Sequence, residues 1–237
     1  MINLDKRQDR WDQISNHLTS LALAHSRVPA IDGLTLEVNS HSIVPRAVDA
    51  CWRSHQLVFS LAAQNPGKYS LILEDDAMLN GNLNWPNFLT DLEEYMSQAS
   101  IDVLQLGFIE KILQLTFTSS IRAALRSIYR PVFSEKKAFT NHRWDCIANA
   151  PANLKLIPDS FEYGTHCYAI SHRAAKAFVG LNMPTFTAPD DFFITIARDQ
   201  SLYQCLKIAR TKISLASQRS REAGRILDSD LEPYASG

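Results

Sequence analysis

The stretch Tyr69-Ser70-Leu71-Ile72-Leu73-Glu74-Asp75-Asp76-Ala77 decides how this chain is read. A short apolar segment, the right length for a buried strand, ends abruptly in three adjacent carboxylates. Burying even one unpaired carboxylate is costly, so three side by side at a strand end need solvent or a counter-charge. A hard divalent cation such as Mg²⁺ or Mn²⁺ is an economical counter-charge, because it prefers carboxylate oxygen and keeps positions open for phosphate. Open α/β folds also place their ligands at the carboxyl ends of sheet strands. The competing reading is an acidic turn after a core strand, and Glu-Asp-Asp alone does not separate the two.

Working outward, Asp9 to His25 carries Trp11, Ile14, Leu18 and Leu21 at helical spacing. Residues 26–33 read as a short extended piece ending in a turn. Pro45 to Gln64 is a second helix, with proline in its first turn and Asn65-Pro66-Gly67 as the stop. A third helix covers Trp85 to Gln98, followed by a strand at Val103–Gly107. Gly164–Ser171 is a further strand leading into a helix at His172–Val179. This alternation predicts a single α/β domain with a mostly parallel central sheet flanked by helices. From about residue 109 to 160 the periodicity degrades, although Ile121–Tyr129 has helical character. After Arg219 the chain reads as a polar tail.

Composition limits the function classes. The chain has 237 residues, enough for one sizeable core, with 46% hydrophobic and 21% charged residues. A net charge of −1 and the lack of any Lys/Arg-rich block argue against a nucleic-acid partner. Cys51, Cys146, Cys167 and Cys205 form no Cys-x-x-Cys pair, which argues against structural zinc and fits reduced thiols. No apolar run approaches the roughly 18 residues of a transmembrane helix, and no signal peptide is evident, so the expected location is cytoplasmic. Met1–Asp5 resembles the tail of a strand; missing upstream residues and a very tight start both fit it.

Six elements carry a resemblance. Met1-Ile2-Asn3-Leu4-Asp5-Lys6-Arg7-Gln8-Asp9-Arg10 is similar to the "INLDRRPDR" opening of glycosyltransferase family 25, the lipooligosaccharide galactosyltransferases and their collagen galactosyltransferase relatives. Val28–Gly33 matches that family's "VPAIDG". Ala50-Cys51-Trp52-Arg53-Ser54-His55 is similar to "GCxxSH", with alanine for the usual glycine. Leu71–Ala77 matches "ALILEDDA", Gly164–Ser171 resembles "GTHAYVIS", and Pro189-Asp190-Asp191 resembles the late "P-x-D" element. Together and in order, they span residues 1 to about 193. The resemblance implies a GT-A-type nucleotide-sugar-binding fold; the domain is expected to cover residues 1–213, with residues 109–160, where the resemblance fades, as a variable acceptor-side insertion and 214–237 as a polar C-terminal tail. It also implies inverting transfer of a hexose, galactose being favoured, from a UDP-sugar to a hydroxyl of a surface glycan or lipid-linked oligosaccharide.

Within that frame each candidate residue has a chemical role and a structural alternative. Asn3 and Asp5, at the end of the first strand, are placed to meet uridine. Arg7 and Arg10 suit phosphate oxygens, or else form a solvated helix start with Asp5 and Asp9 as caps. Alternation along extended chain puts Glu74 and Asp76 on one face and turns Asp75 away. Asp76 is then the expected Mn²⁺ or Mg²⁺ ligand, Glu74 a second ligand or sugar contact, and Asp75 a donor contact. His55 contacts the donor, completes the metal site, or is a hydrogen-bonded helix histidine. Thr165 and His166 line the sugar pocket or simply enter a strand. Asp191, with Asp190 as the other candidate, is the expected general base, and the same pair suits a helix N-terminus. Arg122, Arg126, Arg130, Lys136, Lys137, Phe139, His142, Arg143 and Trp144 suit a glycan acceptor or an ordinary solvated excursion, and Arg122–Arg130 is the candidate for peripheral membrane contact. Two other functions stay open: a degenerate family member serving as a binding or scaffold module, and a metal-dependent phosphohydrolase.

Overall fold

A computed structural model describes residues 1–37, 44–65, 69–109, 156–179, 187–199 and 206–219, and the backbone of 221–222 and 225–226. The helical expectation at Ile121–Tyr129 and the basic-aromatic stretch around it lie outside these residues.

Strand β1 (Ile2–Asn3) leads through helix α1 (Gln8–Ser20) to β2 (Val28–Pro29), which pairs parallel with β1. Helix α2 (Arg46–Gln64) precedes β3 (Tyr69–Leu73), the acidic turn and β4 (Ala77–Leu79). Helix α3 (Trp85–Ala99) and β5 (Val103–Gly107) come next. The remaining elements are β6 (Leu156–Pro158), β7 (Cys167–Ser171), α4 (His172–Val179), α5 (Pro189–Arg198), β8 (Ile208–Thr211) and β9 (Ala216–Gln218), then a β10–β11 pair, Arg221–Glu222 with Arg225–Ile226.

The central sheet runs β3-β7-β5-β8-β6, with β9 joined to both β4 and β5. Its pairing corrects the expectation of a mostly parallel sheet. β7 is antiparallel to both β3 and β5, β6 to β8, and β9 to β4, whereas β5 is parallel to β8 and β9. The physical reason is insertion. β3 and β5 share a direction, as a strand–helix–strand unit requires, but β7 arrives from far along the chain and takes the place between them.

Strand alternation distributes the core over both sheet faces. Leu104 and Leu106 of β5, with Cys167 and Ala169 of β7, pack with Ile14 and Leu18 of α1 and Phe88, Leu92 and Met96 of α3. Val103, Tyr168 and Ile170 face the opposite way, among Phe59 of α2, Phe178 of α4 and Phe193 of α5. Strands buried on both faces read as near-continuous apolar runs, which is why β5 and β7 stand out in the sequence. One polar exception is functional in shape: fully buried Gln105 bonds the backbone of Glu162 and Gly164, which fixes the loop that leads to Thr165.

Candidate functional site

The apolar part of β3 ends at Leu73, where the chain leaves the strand and enters a turn. Glu74 makes one parallel bridge to Ile2, and the amide of Ala77 bonds the Glu74 carbonyl at 3.1 Å. Strand alternation therefore stops applying, and Asp75 is not turned away: Glu74, Asp75 and Asp76 all line one cavity of about 330 Å³. That volume lies within the range of small-molecule sites.

Each carboxylate is held by a different part of the fold. Glu74 faces α2 and the loop before β7, accepting from Thr165 Oγ1 at 2.5 Å and lying 3.2 Å from His55 Nε2. The other ring nitrogen of His55 is 2.7 Å from the Tyr168 hydroxyl, and both residues are buried. A carboxylate only accepts, so Nε2 carries a proton, and Nδ1 shares one hydrogen bond with the tyrosine hydroxyl. Burial pushes the Glu74 carboxyl upward, but the His55 hydrogen bond and charge, with Thr165, outweigh it and hold Glu74 below its ordinary value.

Asp75 faces β1 and α1. Asn3 Nδ2 donates to it at 2.8 Å and Arg10 at 3.1 Å. Burial dominates there, with a contribution from neighbouring Asp76, and pushes the Asp75 carboxyl up to about 6 despite Asn3 and Arg10. Asp76 faces β9, accepting from Gln218 Nε2 at 2.9 Å, while its carbonyl accepts from the Arg219 amide at 2.7 Å.

The remaining walls come from the start of α2 and the turn after β2. Ser54 Oγ accepts from the Ile31 amide at 2.9 Å and donates to the Ala50 carbonyl, which pins residues 30–34 onto α2. Gly33 permits the approach: a Cβ there would lie 2.9 Å from Ala47 Cα. Lys6 and Asp32 form an ion pair of 2.7 Å among the lining residues. Cys51 also lines the cavity; burial, then the charges of Glu74, Asp190 and Asp76, push its thiol well up.

Asp190, at the start of α5, is not among the lining residues of the cavity but is tied to the loop before β7. It accepts from the Gly164 amide, and burial, the Asp191 charge and the Glu74 charge raise its carboxyl. Gly164 sits at φ +106°, where a side chain would be strained. Asp191 donates its backbone amide to Asp190 at 3.1 Å.

The structure thus brings together Asn3, Arg10, His55, Glu74, Asp75, Asp76 and Thr165, while Asp190 is linked to them only through Gly164, the residue before Thr165. Asp5 and Arg7 are not among the lining residues: Asp5 is exposed beside Arg27, and Arg7 makes a two-pronged contact to Asp9. His166 is buried, with Nε2 directed at the Ala216 carbonyl. Lys6, Asp32, Cys51 and Gln218 are lining residues that sequence reasoning did not place in the site. Nothing in the local sequence marks Gln218, because only the pairing of β9 with β4 carries it there.

A family model for glycosyltransferase family 25 (LPS biosynthesis protein) matches residues 1–194. The chain belongs to this family. The match includes every carboxylate of the cavity and both walls built from α1 and α2. A comparison of this family 25 chain with curated proteins finds no match. No helix among the described residues is long and apolar enough to cross a membrane.

The oxygen-only chemistry of the acidic turn suits a hard cation of the kind the resemblance implies. Two buried acceptors on different walls of the site, Asn3 Oδ1 on β1 and Gln218 Oε1 on β9, have no hydrogen-bond partner within the protein, so the site holds more acceptor capacity than its own donors satisfy. Among the described residues, no group of three or more His, Cys, Asp or Glu side chains converges as metal ligands. A cation here would rely on two protein carboxylates and on oxygens of the substrate.

Proposed function

We propose that this family 25 chain is an inverting glycosyltransferase that moves a hexose, with galactose favoured, from a UDP-sugar to a hydroxyl of a surface glycan such as lipooligosaccharide. One observation carries the reading: three carboxylates with three different sets of partners open onto a single cavity that also presents Lys6 and Arg10. A diphosphate needs such an arrangement of cationic side chains together with acidic oxygens that hold a counter-ion.

In this reading Asp76 and Glu74 hold Mn²⁺ or Mg²⁺, which when bound neutralises the diphosphate leaving group as its charge develops. Lys6 and Arg10 face phosphate oxygens. Asn3 Oδ1, whose amide N–H groups already serve Arg7 and Asp75, takes a donor N–H or O–H from the nucleoside. His55 and Thr165 keep Glu74 ionised and aimed. Asp190 is the better candidate than Asp191 for the base, since the Gly164 amide ties its carboxylate to the loop that carries Thr165, the partner of Glu74. Its carboxylate accepts the acceptor hydroxyl proton as that oxygen bonds the anomeric carbon. The bond from that carbon to the UDP oxygen breaks, and the electron pair leaves with UDP.

The test measures UDP release from UDP-galactose, UDP-glucose and UDP-N-acetylglucosamine, with and without a truncated lipooligosaccharide acceptor, and reads product configuration by NMR. Acceptor-dependent release with an inverted anomeric centre is expected. Sugar release that ignores the acceptor would favour the hydrolase reading, and no release from any donor would favour a non-catalytic module.

A further inference from the structure

The family match ends at residue 194, yet one wall of the cavity comes from beyond it. β9 pairs antiparallel with β4 in the register Ala77↔Gln218, and strand alternation leaves Ser217 exposed while Gln218 turns inward. There the amide nitrogen of Gln218 donates to Asp76 Oδ2 at 2.9 Å. The next residue holds the same turn by its backbone, Arg219 N to the Asp76 carbonyl at 2.7 Å. β9 also meets the residue beside the partner of Glu74: the Ala216 carbonyl lies 3.0 Å from His166 Nε2, and His166 directly follows Thr165, which donates to Glu74.

The side-chain chemistry is informative. A lysine or arginine at this position would neutralise Asp76, and an apolar residue would leave its oxygen without this donor. A glutamine donates one N–H and leaves the full negative charge on the carboxylate. Its own Oε1 is buried without a protein partner, which a purely structural contact would be expected to avoid. Carboxylates that ligate metals are typically oriented by hydrogen bonds of this kind.

We propose that Gln218 is a positioning residue of the donor site, fixing the Asp76 carboxylate in the orientation that holds the cation and the donor diphosphate. This inference rests on the proposed UDP-sugar function. It also makes the β9 strand, outside the family match, part of the site.

The experiment is calorimetric titration of UDP into the native protein and Gln218→Met, each with Mn²⁺ and with EDTA. Methionine keeps the length and packing of glutamine but cannot donate. Ser217→Ala, on the exposed face of the same strand, is the control. Gln218→Met is expected to weaken UDP binding in Mn²⁺ by about 10–100-fold, the scale for lost outer-shell partners, with less than about twofold change in EDTA. Equal weakening in both conditions, or none in either, would overturn the positioning role. If native protein itself shows no metal-dependent UDP binding, the donor-site reading fails first. Thermal melts of both variants within a few degrees of native would keep a folding defect from imitating the expected result.

Discussion

Tyr168→Phe removes one oxygen from the interior and tests whether the Tyr168–His55–Glu74 chain of hydrogen bonds is as consequential as its geometry suggests. Tyr168 is fully buried and His55 is 1% exposed, so no water can replace the lost hydroxyl at Nδ1. The aromatic packing survives, since ring contacts to Phe193 at 5.3 Å and to His55 at 5.8 Å do not involve the oxygen. The loss is therefore the desolvation penalty of a stranded buried ring nitrogen, about 1–3 kcal/mol. For a domain of this size that lowers the thermal midpoint by roughly 2–12 °C. Circular dichroism melts, with urea unfolding to check that the m-value is unchanged, read the effect directly. The variant should also bind UDP more weakly, because His55 loses the contact that orients its other nitrogen toward Glu74. A midpoint within about 1 °C of native, at unchanged UDP affinity, would refute the assignment of this chain of bonds as a support of the site.

Two further predictions bear on single carboxylates. Asp190→Asn should leave UDP affinity near native while cutting turnover by about 10² or more, the scale of a general base; a comparable loss in Asp191→Asn alone would return the role to its neighbour. Asp75 is raised in the folded state to about 6, so the native protein binds its proton more readily than the unfolded chain does. Relative to Asp75→Asn, native stability should therefore increase as pH falls from about 7 to about 4, by up to roughly 3 kcal/mol. Urea midpoints of both proteins across that interval measure it, and a native protein that loses ground on acidification would contradict the burial argument.

Much of the fold is legible in local patterns of the sequence. The helical spacing of Ile14 and Leu18 and the buried runs of β3, β5 and β7 are one-dimensional signals, and they mark the elements α1, β3, β5 and β7. The acidic end of β3 is legible because three adjacent charges after an apolar run have few physical explanations. Strand direction is not legible. β3 and β5 obey the strand–helix–strand rule, but β7 inserts between them from far along the chain, and no local pattern records that. The face expected for Asp75 is wrong because the period of two ends where the strand does, at Leu73, and the chain then turns. Asp5 and Arg7 share a motif with Asn3 and Arg10, yet the turn between β1 and α1 sends near neighbours in sequence to different sides. Gln218 reaches the site only through sheet pairing, which a glutamine in a polar stretch does not announce.

The most direct test of a cation-assisted donor site is calorimetric titration of UDP into native protein and Asp76→Ala, each with Mn²⁺ and with EDTA. Native protein should bind tightly in Mn²⁺ and weakly in EDTA, and Asp76→Ala should melt normally but lack the metal-dependent part. Equal affinity of the two proteins in Mn²⁺, or native binding indifferent to the metal, would contradict the claim that the acidic end of β3 holds the donor through a cation.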